Sequence, residues 1–267
     1  MVSAWTTLYS PGLPTDPGAP VAVDRDGVRH IRAARLRPGA ELRLTDGEGG
    51  LWVARLDSLT GNRARCVLLE SLSSPPDLSV ELAFGIASKQ RTLWLVEKAV
   101  ELGVLGLQPI EFRRSSSVSD AARAPLFWEK ARRRAAAALT QCGGSRLPTV
   151  GVPCSLEEYL HGLASRQDDL RVALERSGEE SLPELLASRP GADGWIRLLV
   201  GPEGGMAPAE QTACQAAGFC LARLGERVLR FETAAIAAVS AVSLIAGPLT
   251  PMARRERSGK RDAEVAS

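Results

Sequence analysis

The chain has 267 residues, more than a usual single domain, so one large core or two smaller ones are expected. Hydrophobic residues make up 45% and charged residues 24%, an ordinary globular composition. No apolar run approaches the roughly 20 residues of a membrane span, and "MVSAWTTLYS" lacks the basic-then-apolar layout of a signal peptide, which excludes a membrane or secreted class and makes a cytoplasmic location the expectation. Five cysteines, odd in number and without a CxxC pair, indicate reduced thiols. With only His30 and His161 present, no metal centre is expected. The formal charge of +2 says less than its distribution.

In chain order, "RHIRAARLR" gathers Arg29, Arg32, Arg35 and Arg37, either a solvated face or a contact for an anionic partner. "AELRLTDG", "LWVARLDSL" and "RARCVLLE" follow as short strands separated by the turn signals Asp46-Gly47, Gly49-Gly50 and Gly61-Asn62, the spacing of a small β-barrel. Ser71 to Ser79, "SLSSPPDLS", is a linker by composition. Beyond it the pattern changes to strands alternating with helices. "VELAFGIA", "LGLQPIEF", "LRVALE" and "WIRLLVG" are strands; "RTLWLVEKAVELG", "PLFWEKARRRAAAAL", "LEEYLHGLAS" and "SLPELLAS" are helices. Repeated βα units imply a parallel sheet covered on both faces. The helix "EKARRRAAAALTQCGGSR" carries a second basic cluster that ends at Arg146.

Ligands in such a sheet sit beyond the carboxyl ends of the strands. The strand ending at Val200 runs there into Gly201, Pro202, Glu203, Gly204 and Gly205, and a helix opens near Pro208 with Glu210 in its first turn. Glycines let backbone approach a ligand, though the run matches neither the GxGxxG nor the GxxxxGK[ST] fingerprint, and a plain tight turn is the alternative. A second strand ends at Leu224 and leads through the loop of Gly225, Val228 and Leu229 into an alanine-rich helix that Thr233 is placed to cap. Arg230 and Glu232 are charges at the mouth of this apolar helix, which marks a site.

"LLVGPEGG" followed by "RLGERVLRFETA" resembles the two signature loops of the RsmE family, SPOUT-superfamily methyltransferases acting on uridine N3 of 16S ribosomal RNA. "HIRAARLRPGAELRLTDGEGG", "EKAVELGVLGLQPIEFRRSS" and "TQCGGSRLPTV" are similar to its barrel motif, first helix and strand, and QCGR-type segment, in the expected order. The resemblance implies an α/β fold with a PUA-like β-barrel over residues 1–74 and a SPOUT trefoil-knot domain over 75–250; the charged composition of "ARRERSGKRDAEVAS" makes a disordered tail the expectation for 251–267. True knots are so rare that residue patterns alone would not suggest one.

The resemblance further implies that S-adenosylmethionine sits among three loops. The first holds Leu174 and Glu175. The second holds Val200, Gly201, Pro202, Glu203, Gly204 and Gly205. The third holds Leu224, Gly225, Val228, Leu229 and Arg230, with Thr233 and Ala234 behind it. Arg230 and Glu232 are the expected catalytic pair, Arg230 stabilising charge on the uracil oxygens and Glu232 orienting it or accepting the proton. His30, Arg32, Arg35, Arg37, Arg114 and Arg146 are the expected RNA contacts, 16S rRNA or the small subunit the partner, and a homodimer the assembly, without metal. The family's LRTETA here reads Leu229-Arg230-Phe231-Glu232-Thr233-Ala234, with Phe231 in place of a small hydroxyl residue, and its barrel histidine pair is Arg29-His30. Ribose 2′-O methylation and a non-catalytic ribosome-assembly role are the alternatives.

Overall fold

The computed structural model describes residues 5–73, 79–115, 124–164, 169–188 and 194–245. Most of the linker, and the expected tail at 251–267, lie outside those residues.

The first unit is a curled five-stranded sheet with one helix. Its elements are β1 (Thr7–Tyr9), β2 (Pro20–Val23), α1 (Arg25–Ala33), β3 (Glu41–Thr45), β4 (Leu51–Thr60) and β5 (Arg63–Ser71), in the order β1-β3-β4-β5-β2. The three strands predicted from sequence form its centre as an antiparallel meander. β1 adds to β3 in parallel and β2 to β5 antiparallel; at three and four residues they are too short to show a period in the sequence. Asp24 starts α1 by accepting a hydrogen bond from the Gly27 amide at 2.7 Å, and α1 closes the sheet by burying Val28 and Ile31 against Leu8, Leu42, Leu44, Leu56 and Leu68.

The second unit is a wholly parallel sheet. In chain order it contains β6 (Val80–Gly85), α2 (Lys89–Glu101), β7 (Gly106–Glu111), α3 (Pro125–Cys142), β8 (Thr149–Val150), β9 (Cys154–Ser155), α4 (Leu156–Gly162), β10 (Leu170–Leu174), β11 (Glu180–Ser181), α5 (Leu182–Ser188), β12 (Ile196–Val200), α6 (Pro208–Ala216), β13 (Cys220–Arg223) and α7 (Phe231–Ile245). The order is β11-β13-β10-β12-β6-β7-β8, with β9 also pairing β7. One face is covered by α2, α3, α5 and α7, the other by α4 and α6. Burial on both faces explains the unbroken apolar runs; β12 is buried at all five positions.

β12 also buries a charge. Arg197, 2% exposed, donates from Nε to Asp169 at 2.5 Å and lies 2.6 Å from Glu81, which in turn accepts the Tyr159 hydroxyl at 2.8 Å. Burial, with Glu81 as neighbour, pushes the Tyr159 phenol well above its ordinary range, so this hydroxyl stays a donor. The network joins β6, β12, α4 and the start of β10 at the amino ends of the strands.

The late strand β13 is inserted between β10 and β11. To reach β11 the chain after β10 crosses β13, and an atom added as Cβ at Gly178 would meet the Leu221 carbonyl oxygen at 2.7 Å, so the crossing is a backbone-on-backbone contact that only glycine permits. The chain leaving β13 then turns back to pack α7 against α5, α2, β12 and β6. This is the SPOUT-type domain that the resemblance implied. Its last helix corrects one expectation: Thr233 does not cap it. The helix begins at Phe231, and the Arg230 carbonyl accepts the Ala234 amide at 2.9 Å, because Phe231 is drawn into the core beside Phe84, ring centroids 6.3 Å apart.

The two units meet where the turn after β3 rests on the turn after α3. Thr45 Oγ1 donates to the Ser145 carbonyl at 3.0 Å, and the Leu147 amide to the Gly47 carbonyl at 2.7 Å. The "TQCGGSR" segment is thus a joint between domains.

Candidate active site

The carboxyl ends of β10, β12 and β13 lie side by side, with Leu174 in register with Val200 on one side and with Ala222 on the other. Beyond these three residues the chain opens into a cleft. Met206, Phe231 and Ala234 complete its apolar floor, while Glu175, Arg176, Glu203 and Arg227 bring charge to its walls. Gly201, Gly205 and Gly225 contribute only backbone, Pro202 and Leu224 line the cleft beside them, and Val228 and Leu229 line it further along the loop. Gly205 has φ +69°, and a Cβ built there meets no atom within 4 Å. The wall is therefore bare where a side chain would otherwise stand.

Two carboxylates hold the loops. Glu210, 7% exposed, accepts the Ala207 amide at 2.7 Å and the Arg113 amide at 2.8 Å, which ties the segment after β7 to the mouth of α6. That tie brings Arg114 beside Gly204, its Nη1 3.5 Å from the Gly204 carbonyl oxygen. Glu203 takes the other side: it pairs with Arg91, in the first turn of α2, which also lies 3.8 Å from Glu232.

Twelve of the residues expected to hold a cofactor line the cleft. Gly204, Arg230 and Thr233 do not. Gly204 turns toward Arg114, and Thr233 is exposed on α7. Arg230 is exposed at the rim between Leu229 and Phe231, with no side-chain partner among the described residues. The expected pairing of Glu232 with Arg230 is corrected: the charge facing Glu232 is Arg91. Arg176, Met206, Ala222, Arg227 and Phe231 line the cleft without having been foreseen. Ala222 and Met206 had a signal, since they adjoin strand ends and loops already singled out; Arg91, far upstream, had none.

The expected RNA contacts are dispersed. His30, Arg32, Arg35 and Arg37 are exposed on the barrel, where Arg32 donates to the Gly61 carbonyl and Arg35 turns the chain out of α1 with φ +55°. Arg114 belongs to the cleft rim. Arg146 lies at the joint, its guanidinium against Gly49 and its backbone bridged to Gly47 and Glu48. Phe231, where the family has a small hydroxyl residue, is 5% exposed and serves as floor.

The RNA methyltransferase domain family matches residues 74–243, and the RNA methyltransferase PUA domain family residues 23–69. The chain belongs to the ribosomal RNA small subunit methyltransferase E family. It is 30% identical over 244 residues to the Mycobacterium tuberculosis ribosomal RNA small subunit methyltransferase E, covering 89% of this chain and 91% of that one. With the Bacillus subtilis protein of the same name it shares 26% over 228 residues, covering 83% and 89%. The crystal structure of the Neisseria gonorrhoeae protein of that name, bound to S-adenosyl methionine, superposes with a TM-score of 0.82 at 28% identity, covering 92% of this chain and all of that one. Among the described residues, no helix of this family member is long and apolar enough to cross a membrane, and no three His, Cys, Asp or Glu side chains gather as a metal site.

Proposed function

We propose that the protein transfers a methyl group from S-adenosylmethionine to N3 of a uridine in 16S ribosomal RNA. The observation that carries this reading is the cleft at the ends of β10, β12 and β13, apolar in its floor and bare of side chains at Gly205. The residues present fit the cofactor. An adenine suits the floor of Leu174, Val200, Ala222 and Phe231, with the backbone of the loop Leu224 to Leu229 beside it to bond its edge. The methionine portion carries one ammonium and one carboxylate, and Glu175, Glu203, Arg176 and Arg227 supply both signs of charge around it. When bound, S-adenosylmethionine supplies an electrophilic methyl on its sulfonium.

The chain's own task is to orient the uridine and favour its N3 anion. Arg230 is exposed at the rim with no side-chain partner among the described residues, and a planar guanidinium suits charge spread over a uracil carbonyl oxygen. The barrel arginines and Arg114 bind RNA phosphates in this reading, and no step calls for a metal. Val228, Leu229, Leu244, Ile245 and Trp94 are large apolar residues left at 39–77% exposure on the loop after β13, α7 and α2, which supports a homodimer formed through this side. The reading places the enzyme in the cytoplasm, with the ribosomal subunit. Titration calorimetry with S-adenosylmethionine, followed by nucleoside mass spectrometry of 16S RNA treated with the enzyme, tests it. A methyl group on ribose instead of the base, or no cofactor binding, refutes it; sedimentation as a stable monomer refutes the dimer.

A further inference from the structure

We propose that Arg91 is a positioning residue of this site, clamping the GPEGG loop to the first turn of α7 through Glu203 and Glu232. The inference rests on reading the cleft as the S-adenosylmethionine site, but its observations are separate from that reading. Arg91 donates from Nη1 to Glu203 Oε1, and its Nε lies 3.8 Å from Glu232 Oε1. One planar fork thus serves two carboxylates, one on the GPEGG loop and one in the first turn of α7. Glu203 is itself part of the cleft wall, and Glu232 directly follows Phe231 of the cleft floor. The guanidinium therefore stands behind the wall and sets the distance between its two sides.

Glu232 gives the clamp its importance. Its side chain is 16% exposed, and its second oxygen, Oε2, is buried without a hydrogen-bond partner. A carboxylate in that position is costly unless a cation stands near it, and Arg91 is that cation. Without Arg91 the two carboxylates lose their shared counter-charge, and the loop and α7 are driven apart. Neither carboxylate need touch the reacting atoms for this to matter, since small displacements of a site wall lower binding and turnover steeply.

The test uses the full chain. Arg91→Ala should fold, weaken S-adenosylmethionine affinity by about tenfold or more in calorimetry, and speed amide exchange in 201–206 and 229–234 of the cofactor-free protein. Arg91→Lys, a single point charge unable to serve both carboxylates as a fork, should fall between Arg91→Ala and the wild type. Adding Glu232→Gln to Arg91→Ala should restore part of the loss by removing the uncompensated buried charge. Unchanged affinity and unchanged exchange in both segments overturn the clamp. A uniform loss of thermal stability, with exchange faster everywhere, also overturns it in favour of a purely structural ion pair. If the wild type takes no S-adenosylmethionine, the functional reading falls, and the exchange comparison decides the clamp alone.

Discussion

Gly205→Val separates the cleft from the fold. The glycine has φ +69°, a region where an L residue costs about 1–2 kcal/mol and a β-branched one is a genuine outlier. A Cβ there meets nothing within 4 Å, so backbone strain is the main cost expected in the folded protein. At roughly 2–4 °C per kcal/mol for a domain of this size, melting should fall by about 2–8 °C. The isopropyl group, however, enters space beside the cleft, and displacing a ligand from an already shaped wall should cost affinity on the order of 100-fold. Gly204→Ala is the control with the opposite pattern. Its new methyl would lie 3.1 Å from the Arg114 carbonyl oxygen, so it presses on protein and spares the cleft. Calorimetry with S-adenosylmethionine and thermal denaturation read both variants. An unchanged affinity for Gly205→Val, with the expected loss of stability, would show that this loop does not face the cofactor. Equal affinity losses in both variants would refute the distinction between the two glycines.

Arg230→Lys keeps the charge but not the fork, and single-turnover assays should show methyl transfer slowed by on the order of 100-fold while calorimetry finds cofactor affinity nearly unchanged. Replacing Arg32, Arg35 and Arg37 together with alanine should weaken RNA binding and flatten its salt dependence by about 2 units if Arg32 stays on the Gly61 turn, or up to about 3 if RNA releases it, as read by fluorescence anisotropy across a salt series. An unchanged slope would remove the barrel arginines from the interface. Asp169→Ala leaves Arg197 buried with one carboxylate in place of two and the Trp195 amide without its acceptor, and urea denaturation should show a loss of about 1–3 kcal/mol. Because that network lies at the far end of the strands from the cleft, protein still folded in low denaturant should bind S-adenosylmethionine as the wild type does.

What the sequence disclosed and what it hid divide along a physical line. β12, the GPEGG loop and the apolar helix after β13 were legible because each is specified locally, by an unbroken apolar run, by glycines or by uniform apolarity. The two-residue strands β8, β9 and β11 were not, since two residues carry no period and exist as strands only through the neighbours they pair with. The insertion of β13 between β10 and β11 has no local signature at all and came only through the family resemblance. The charged pair at the mouth of α7 shows the same division in one place. Arg230 and Glu232 are neighbours in sequence, so a pairing between them was natural to expect, yet residues two apart at a helix entrance point to different sides. Phe231, between them, turns inward to the cleft floor. That leaves Arg230 at the open rim and turns Glu232 toward α2, where Arg91 meets it. The division of labour proposed for the two charges, one facing the substrate and one holding the wall, thus follows from where a buried phenylalanine forces the helix to begin.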